Sequence, residues 1–189
     1  MSATEAAAKA FFSYPAFAVV GASSNPAKYG NKSTSSSPSH PLPSAHSPPN
    51  SPPASCQPEH ILTNRPVLKW YHNHNLPVTP INPTSATITL PSVPTPLPAL
   101  PSIAQLPTPK TTSLSIITPP VVTLSVLREA KGLGIPAVWL QPGSFDDEVV
   151  KFLGEAGFES SVLGKGGAGS EGWCVLVDGE RALKGAGKL

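Results

Sequence analysis

Charged side chains are scarce in this chain. Asp, Glu, Lys and Arg make up 13% of its 189 residues, and the formal net charge is only +2 at pH 7. A surface that binds nucleic acid or an anionic membrane by electrostatics needs a strong positive excess, usually gathered in one patch. No basic run occurs. The composition therefore argues against nucleic acid and membrane partners, and it specifies no protein partner.

Cysteine and long apolar runs are also lacking. Cys56 and Cys174 are the two cysteines, and they lie far apart without a C-x-x-C pattern, so neither a disulfide framework nor a metal site is indicated. No apolar run approaches the roughly 20 residues that span a bilayer. The alanine-rich N-terminus contains Glu5 and has neither the apolar core nor the basic lead of a secretory signal. These absences favour a reduced, cytoplasmic setting.

Proline, in contrast, is abundant. The chain contains 25 prolines, most of them between residues 38 and 120, so part of it cannot form regular helix or strand. Residues 33–66 are rich in serine and proline, contain one carboxylate and show no periodic apolar pattern. Such a segment buries too little apolar surface to offset the entropy lost on ordering. We predict a disordered, low-complexity insert over residues 33–66 of a single domain that spans residues 1–189.

The predicted insert interrupts a helix. When residues 33–66 are removed, Lys32 joins Val67, and the helical spacing of Val67, Leu68 and Tyr71 continues one pattern. An insertion inside a helix is tolerated less well than one in a surface loop. We therefore interpret the segment as mis-spliced sequence translated in frame, rather than as a true loop. On that interpretation, the chain with its insert is a non-functional product.

Residues 17–32 have the pattern of a buried strand, a small-residue turn and the start of a helix. The apolar run from Phe17 to Val20 is typical of a central strand in a parallel sheet. The small residues that follow let a ligand approach the backbone, and the N–H groups of a helix start favour an anion. Lys28 and Lys32 would add positive charge. The predicted phosphate-binding residues are Gly21, Ala22, Ser23, Ser24, Lys28, Tyr29, Gly30, Asn31 and Lys32.

This turn departs from the common nucleotide fingerprints. Ser23 and Pro26 occupy the second and third glycine positions of G-x-G-x-x-G, and the next strand ends at residues 80–83 without a carboxylate for an adenosine ribose. A Walker loop is excluded because Asn31 separates Gly30 from its lysine. An NAD(P)-dependent enzyme on the same fold is therefore disfavoured, and it stays the leading alternative.

Strands and helices alternate along the rest of the chain. Strands are predicted at 76–81, 113–118, 137–140, 158–163 and 174–177, with a short extended piece at 87–90. Helices are predicted at 5–12, 121–132 and 144–156, with a single turn at 102–106 and a short tail helix. In the helix at 121–132 the predicted buried residues are Val122, Leu124, Val126, Leu127 and Ala130, and Ser144 is the predicted cap of the next helix. The alternation predicts an α/β fold with a doubly wound, mostly parallel sheet in three layers.

Three blocks that occur in the same order carry a family resemblance: residues 21–32, 78–83 and 138–143. They resemble the CoA-binding-domain family, the small stand-alone Rossmann-like proteins of the YccU type, and residues 115–120 and 172–180 look like its fungal branch. The resemblance implies that CoA or an acyl-CoA lies outside the carboxyl ends of the strands. The further ligand-binding residues that it implies are Asn82, Pro83, Thr118, Pro119, Pro120, Gln141, Pro142 and Gly143.

No set of residues in the sequence indicates catalysis. A general base, a paired carboxylate and a nucleophile elbow are all lacking, and His72 and His74 are spaced so that they do not share a helical face. Cys174 follows Trp173 in an apolar stretch, which favours a buried small hydrophobe over a nucleophile. We therefore predict a CoA-binding module without an enzymatic activity of its own.

Overall fold

The computed structural model describes residues 3–23, 65–91, 93–164 and 173–189. The helices in this part of the chain are α1 (Ala3–Ser13), α2 (Arg65–Asn73), α3 (Pro120–Gly132), α4 (Asp147–Ala156) and α5 (Val175–Gly185). The strands are β1 (Ala16–Val20), β2 (Val78–Ile81), β3 (Thr87–Ile88), β4 (Leu97–Pro98), β5 (Thr112–Ile116), β6 (Ala137–Leu140) and β7 (Ser160–Leu163). Two 3₁₀ turns, Ile103–Gln105 and Pro109–Thr111, lie in the crossover that precedes β5.

The main sheet is parallel and has the order β2-β1-β5-β6-β7. The short strands β3 and β4 form a separate antiparallel pair. The chain moves from β1 outward to β2 and then crosses back to β5 on the other side of β1. The strand order therefore reverses between β1 and β5, and ligands of open α/β sheets bind outside the carboxyl ends of the strands at such a reversal.

Both faces of the sheet are covered by helices. Because side chains alternate along a strand, Phe17 and Val19 of β1 point to one face and Ala18 and Val20 point to the other. The first face packs against residues of α1, α2 and α5, and the second packs against residues of α3 and α4. The predicted α/β fold, a doubly wound and mostly parallel sheet in three layers, is confirmed.

Aromatic rings dominate the core on the first face. The Phe11 and Phe12 rings of α1 lie 5.2 Å apart in an edge arrangement, and Trp139 of β6 is 5.4 Å from Phe11 and 5.7 Å from Phe12. Trp139 also donates its indole N–H to the carbonyl of Trp173, 3.0 Å away. Each aromatic pair adds about 0.5–1.5 kcal/mol beyond its buried area, so this cluster anchors α1 firmly to the sheet.

One predicted strand is a helix. Residues 174–177 were expected to form the last strand, but α5 begins at Val175. The Asp178 carboxylate accepts a hydrogen bond from the backbone N–H of Cys174 at 3.1 Å, which satisfies a donor at the helix N-terminus. Val175, Ala182 and Leu183 are buried on one side of the helix. Among the described residues, the short apolar run before Asp178 pairs with no strand. The hydrogen bond from the Cys174 N–H to Asp178 stabilises the helical conformation of this run instead.

Three smaller expectations are also corrected. Val122 was expected on the buried side of α3 but is 47% exposed, because Thr123 and Leu124 face the sheet instead. Helix α4 is capped by Asp146, whose carboxylate accepts from Val149 N–H at 3.0 Å, whereas Ser144 donates to the Gln141 carbonyl. Helix α2 begins at Arg65, so the last two residues of the predicted insert are helical. The remainder of that insert lies outside the described residues.

Candidate functional site

Gly21 ends β1 in a conformation that only glycine adopts easily. Its φ is +93°, and a Cβ atom added there would lie 2.9 Å from Thr118 Cγ2 and 3.4 Å from the Ile117 carbonyl oxygen. Both the backbone angle and the close packing against the turn after β5 require glycine. The sequence assigned this glycine to the approach of a ligand, and the structure adds an internal reason for it.

Asn82 ties the turn after β1 to the turn after β2. Its side-chain amide Nδ2 donates to the Ala22 carbonyl oxygen at 2.5 Å. Its Oδ1 accepts from the Thr84 N–H at 2.7 Å, the Thr84 hydroxyl at 2.9 Å and the Ser85 N–H at 3.0 Å. Asn82 is only 6% exposed. Its amide therefore holds the protein's own backbone in place beside the predicted phosphate turn.

Thr118 organises the connection from β5 to α3. The Thr123 hydroxyl donates to the Thr118 carbonyl at 2.9 Å, and the two threonine hydroxyl oxygens lie 2.8 Å apart. Pro119 precedes the helix, and its carbonyl accepts from the N–H groups of Val122 and Thr123. Pro120 occupies the first turn, where a missing N–H costs nothing. These hydrogen bonds fix the first turn of α3 beside the carboxyl ends of the strands.

Gln141 connects the carboxyl ends of β5 and β6 to α5 through side-chain hydrogen bonds. It is fully buried. Its Nε2 lies 3.3 Å from the Ser115 hydroxyl, and its Oε1 accepts from the Val175 N–H at 3.2 Å. Gly143 follows in the turn with a φ of +86°. The hydrogen bonds of Gln141 run to the protein itself, at a site adjacent to the turn that Pro142 and Gly143 form.

A cavity of about 300 Å³ opens at the carboxyl ends of β1, β2 and β5. Gly21, Pro83 and Thr118 line it at the strand ends. Its opposite wall is formed by one side of α3 and by residues 101–103 of the crossover. The wall is mostly apolar, and the cavity lies where the strand order reverses. It therefore has the position and character of a ligand site in an open α/β sheet.

The predicted site residues divide into four groups. Gly21, Pro83 and Thr118 come together around the cavity. Gln141, Pro142 and Gly143 lie at the end of β6 and do not line it, while Ala22, Ser23, Asn82, Pro119 and Pro120 belong to the adjoining turns. Outside the described residues lie Ser24, Lys28, Tyr29, Gly30, Asn31 and Lys32. The phosphate-binding role of the whole turn stays a prediction.

Several cavity residues were missed by sequence reasoning. Val122, Val126 and Glu129 of α3 line the cavity, as does Ser102 of the crossover. The three helix residues have the spacing i, i+4 and i+7, which places them on one side of a helix. That spacing was visible in the sequence, but the same spacing is typical of a side that faces the core. Only the packing of α3 shows whether this side of the helix faces the core or the cavity.

Three ionisable side chains on the sheet face covered by α2 and α5, opposite the cavity, have structural roles. Burial raises the pKa of the Tyr71 hydroxyl, so this group stays protonated beneath the sheet. Burial also raises the pKa of the Asp178 carboxyl, against the opposing effects of the Cys174 N–H and of Arg181. His74 lies with its Nδ1 2.8 Å from the Trp70 carbonyl and its ring stacked on the Trp70 indole at 4.1 Å. The described residues hold no group of three or more His, Cys, Asp or Glu side chains suited to a metal ion.

A family model matches more than half of the sequence. Residues 62–167 match the model of the CoA binding domain. The chain belongs to the CoA binding domain family. The matched segment contains β2, β5, β6 and the cavity wall of α3, so most of the geometry above lies within the family domain. It begins after the turn at Gly21, and it already covers the last five residues of the predicted insert.

Solved structures support the fold of this CoA binding domain protein. A conserved hypothetical protein from Pyrococcus furiosus is 27% identical, with 78% of this chain and 92% of that chain covered and a TM-score of 0.50. A hypothetical protein from Pyrococcus horikoshii is 20% identical over 95% of this chain and 92% of that chain, with a TM-score of 0.57. A protein from Thermus thermophilus is 21% identical over 96% and 99%, with a TM-score of 0.54. No curated protein matches the sequence.

Among the residues that the structure describes, no helix of this CoA binding domain protein is long and apolar enough to cross a bilayer.

Proposed function

We infer that this protein binds CoA or an acyl-CoA as a module without catalysis of its own. The observation that carries this inference is the cavity, since it lies at the reversal of strand order in a chain that belongs to the CoA binding domain family. The phosphates would lie at the turn from Gly21 to Ser24, with Lys28 or Lys32 adding charge. The adenosine half would lie in the cavity that Pro83 borders.

The absence of catalysis is inferred from where the reactive side chains lie. Cys174 is fully buried beneath the start of α5, and His74 is packed against Trp70 and Glu180. Among the residues that the structure describes, Glu129 is the one ionisable residue that lines the cavity. Among the described lining residues, the Ser102 hydroxyl donates to the Glu129 carboxylate, but no histidine or lysine lines the cavity beside this pair to activate the serine as a nucleophile. The finer assignment to the YccU type and its fungal branch stays a prediction.

An NAD(P)-dependent enzyme is the alternative that the ligand experiment addresses. The residue after β2 is Asn82, whose amide is hydrogen-bonded to the backbone of two turns. Dinucleotide sites of this fold usually place a carboxylate near that strand end, where it binds the ribose hydroxyls. Asn82 and Pro83 offer none, which favours a CoA-type ligand over NAD.

The inference predicts that CoA or acetyl-CoA stabilises the protein more than NAD or NADP does. At a free concentration of 100 times its dissociation constant, a ligand adds about 2.7 kcal/mol to the free energy of unfolding. Calorimetric titration and thermal unfolding with each of the four compounds would measure this difference. Equal or tighter binding of NAD or NADP would overturn the assignment.

A matched pair of variants on α3 tests whether the cavity is the site. Val121 and Val122 are both exposed in the first turn of α3, at 80% and 47%, but only Val122 lines the cavity. Val122→Glu places a negative charge in the path of an anionic ligand and is expected to weaken CoA binding about tenfold or more. Val121→Glu makes the same change outside the cavity and should leave binding nearly unchanged. Equal effects of the two variants would show that CoA binds elsewhere.

A further inference from the structure

Among the described residues that line the cavity beside α3, the charged side chain lies at one end. Val122, Val126 and Glu129 follow one another along the side of α3 that lines the cavity. Because an α-helix rises about 1.5 Å per residue, Glu129 lies roughly 10 Å along the axis from Val122. Val122 is close to Thr118 and the strand ends, whereas Glu129 is at the far end. The cavity therefore runs from the predicted phosphate turn, along an apolar wall, to a carboxylate.

A hydrogen bond from the crossover orients this carboxylate. The Ser102 hydroxyl donates to Glu129 Oε1 at 2.9 Å, and it accepts from the Ala104 N–H at 3.1 Å. Ser102 is also the cap of the 3₁₀ turn Ile103–Gln105, so its own position is fixed. An ionised carboxylate can only accept hydrogen bonds. This end of the cavity therefore disfavours a phosphate and suits a neutral group that carries an N–H donor.

We propose that Glu129 is a specificity-determining residue that selects adenine as the base of the bound nucleotide. The exocyclic amine of adenine donates to the Glu129 carboxylate, and the faces of the ring pack against the apolar wall at Val126 and Ile103. The proposal rests on the proposed CoA function and adds the residue that recognises the base. The proposal rests on the distribution of charge along the cavity. The Glu129 carboxylate repels the anionic half of the ligand from its end, so the uncharged base is the part that fits there.

The test compares CoA with an analogue whose base is unsubstituted purine. The analogue keeps the size of the ring and lacks only the exocyclic amine. Calorimetric titration of the full chain is expected to show about tenfold tighter binding of CoA, the contribution of one charge-assisted hydrogen bond at an exposed rim. In Glu129→Ala the two ligands should bind with nearly equal affinity. Ser102→Ala should reduce the preference without removing it, because the carboxylate is still present but less well oriented.

One control variant and three possible outcomes decide between the role of Glu129 and its alternatives. Glu155→Ala removes an exposed glutamate from α4, outside the cavity, and should leave the preference for CoA unchanged. Equal binding of CoA and the purine analogue by the unaltered protein would overturn the role of Glu129 and leave CoA binding intact. A preference that survives in Glu129→Ala would overturn it as well. A failure to bind either ligand would overturn the proposed function itself.

Discussion

Two structural features of the turn after β1 require glycine at position 21. Its positive φ lets the chain turn sharply after β1, and its missing side chain leaves room for Thr118. Asn82 then holds the Ala22 carbonyl from the neighbouring strand end. Both residues act on the backbone of the turn, so they shape the edge of the cavity through the protein's own contacts.

Gly21→Ala is expected to destabilise the fold by about 1–3 kcal/mol, because the new Cβ meets Thr118 and the backbone angle is strained. Gly154→Ala is the matched control, since a Cβ at Gly154 in α4 would have no neighbour within 4 Å and no positive φ applies. That substitution should stabilise the protein by about 0.5–1 kcal/mol through helix propensity. Urea unfolding of both variants measures the difference. Equal stability of Gly21→Ala and the unaltered protein would contradict the strained turn.

At the scale of elements, α5 is the least obvious feature of the sequence. It packs against α1 and α2, and Trp70 of α2 lies so close that a Cβ on Gly179 would be 2.5 Å from its ring. Gln141 bonds to the N-terminus of α5, and Asp178 caps it from inside the helix. The last helix therefore closes the carboxyl end of the sheet on the face opposite the cavity wall.

Asp178 makes the stability of this closure depend on pH. Burial raises the pKa of its carboxyl in the folded protein above its value in the unfolded chain. The folded state therefore binds this proton more tightly, and the contribution of Asp178 to stability falls as pH rises through the interval between the two pKa values. Asp178→Asn keeps an acceptor for the Cys174 N–H and removes the titration.

We expect Asp178→Asn to gain stability relative to the unaltered protein at neutral pH. The gain should be smaller at acidic pH, below the raised pKa of Asp178 in the folded protein, because the aspartate is then protonated. Asp178→Ala is the control, because it removes the acceptor for Cys174 and should be less stable than the asparagine variant at either pH. Chemical unfolding at both pH values provides the measurement. A gain that grows on acidification would show that the carboxyl is not buried as an unfavourable charge.

At the scale of the whole molecule, the serine- and proline-rich segment stands between β1 and the rest of the family domain. The family match begins at residue 62 and α2 begins at Arg65. Residues 62–66 of the predicted insert therefore lie inside the matched segment, and the last two of them begin α2. The absence of the insert from the functional protein stays a prediction.

We expect peptides from residues 33–66 to be absent from the native protein, and a variant without these residues to bind CoA more tightly than the full chain. A helix N-terminus binds phosphate when consecutive N–H groups point the same way, and a shorter connection would bring the turn at Gly21 and α2 together. Peptide mapping of the native protein and calorimetric titration of both forms test the two halves of this prediction. Native peptides from this segment, together with tighter binding by the full chain, would contradict it.

The sequence by itself predicted the alternation of strands and helices and the layers of the fold, whereas the strand order came from the structure and the ligand site stays a prediction. Apolar runs that end at Gly21, Asn82 and Thr118 already predict parallel strands, and the carboxyl ends of parallel strands share one edge. Local patterns carry this information because strand and helix periods are properties of consecutive residues.

Only the tertiary structure decided which side chains meet at that edge. Val122 and Glu129 have the same spacing as a core-facing helix side, and their exposure to the cavity depends on how α3 crosses the sheet. Likewise, the run before Asp178 is as apolar as a strand, and it becomes helical because Gln141 and Asp178 provide partners for its N-terminal N–H groups. These contacts join residues that are distant in the chain or depend on packing, so no local pattern contains them.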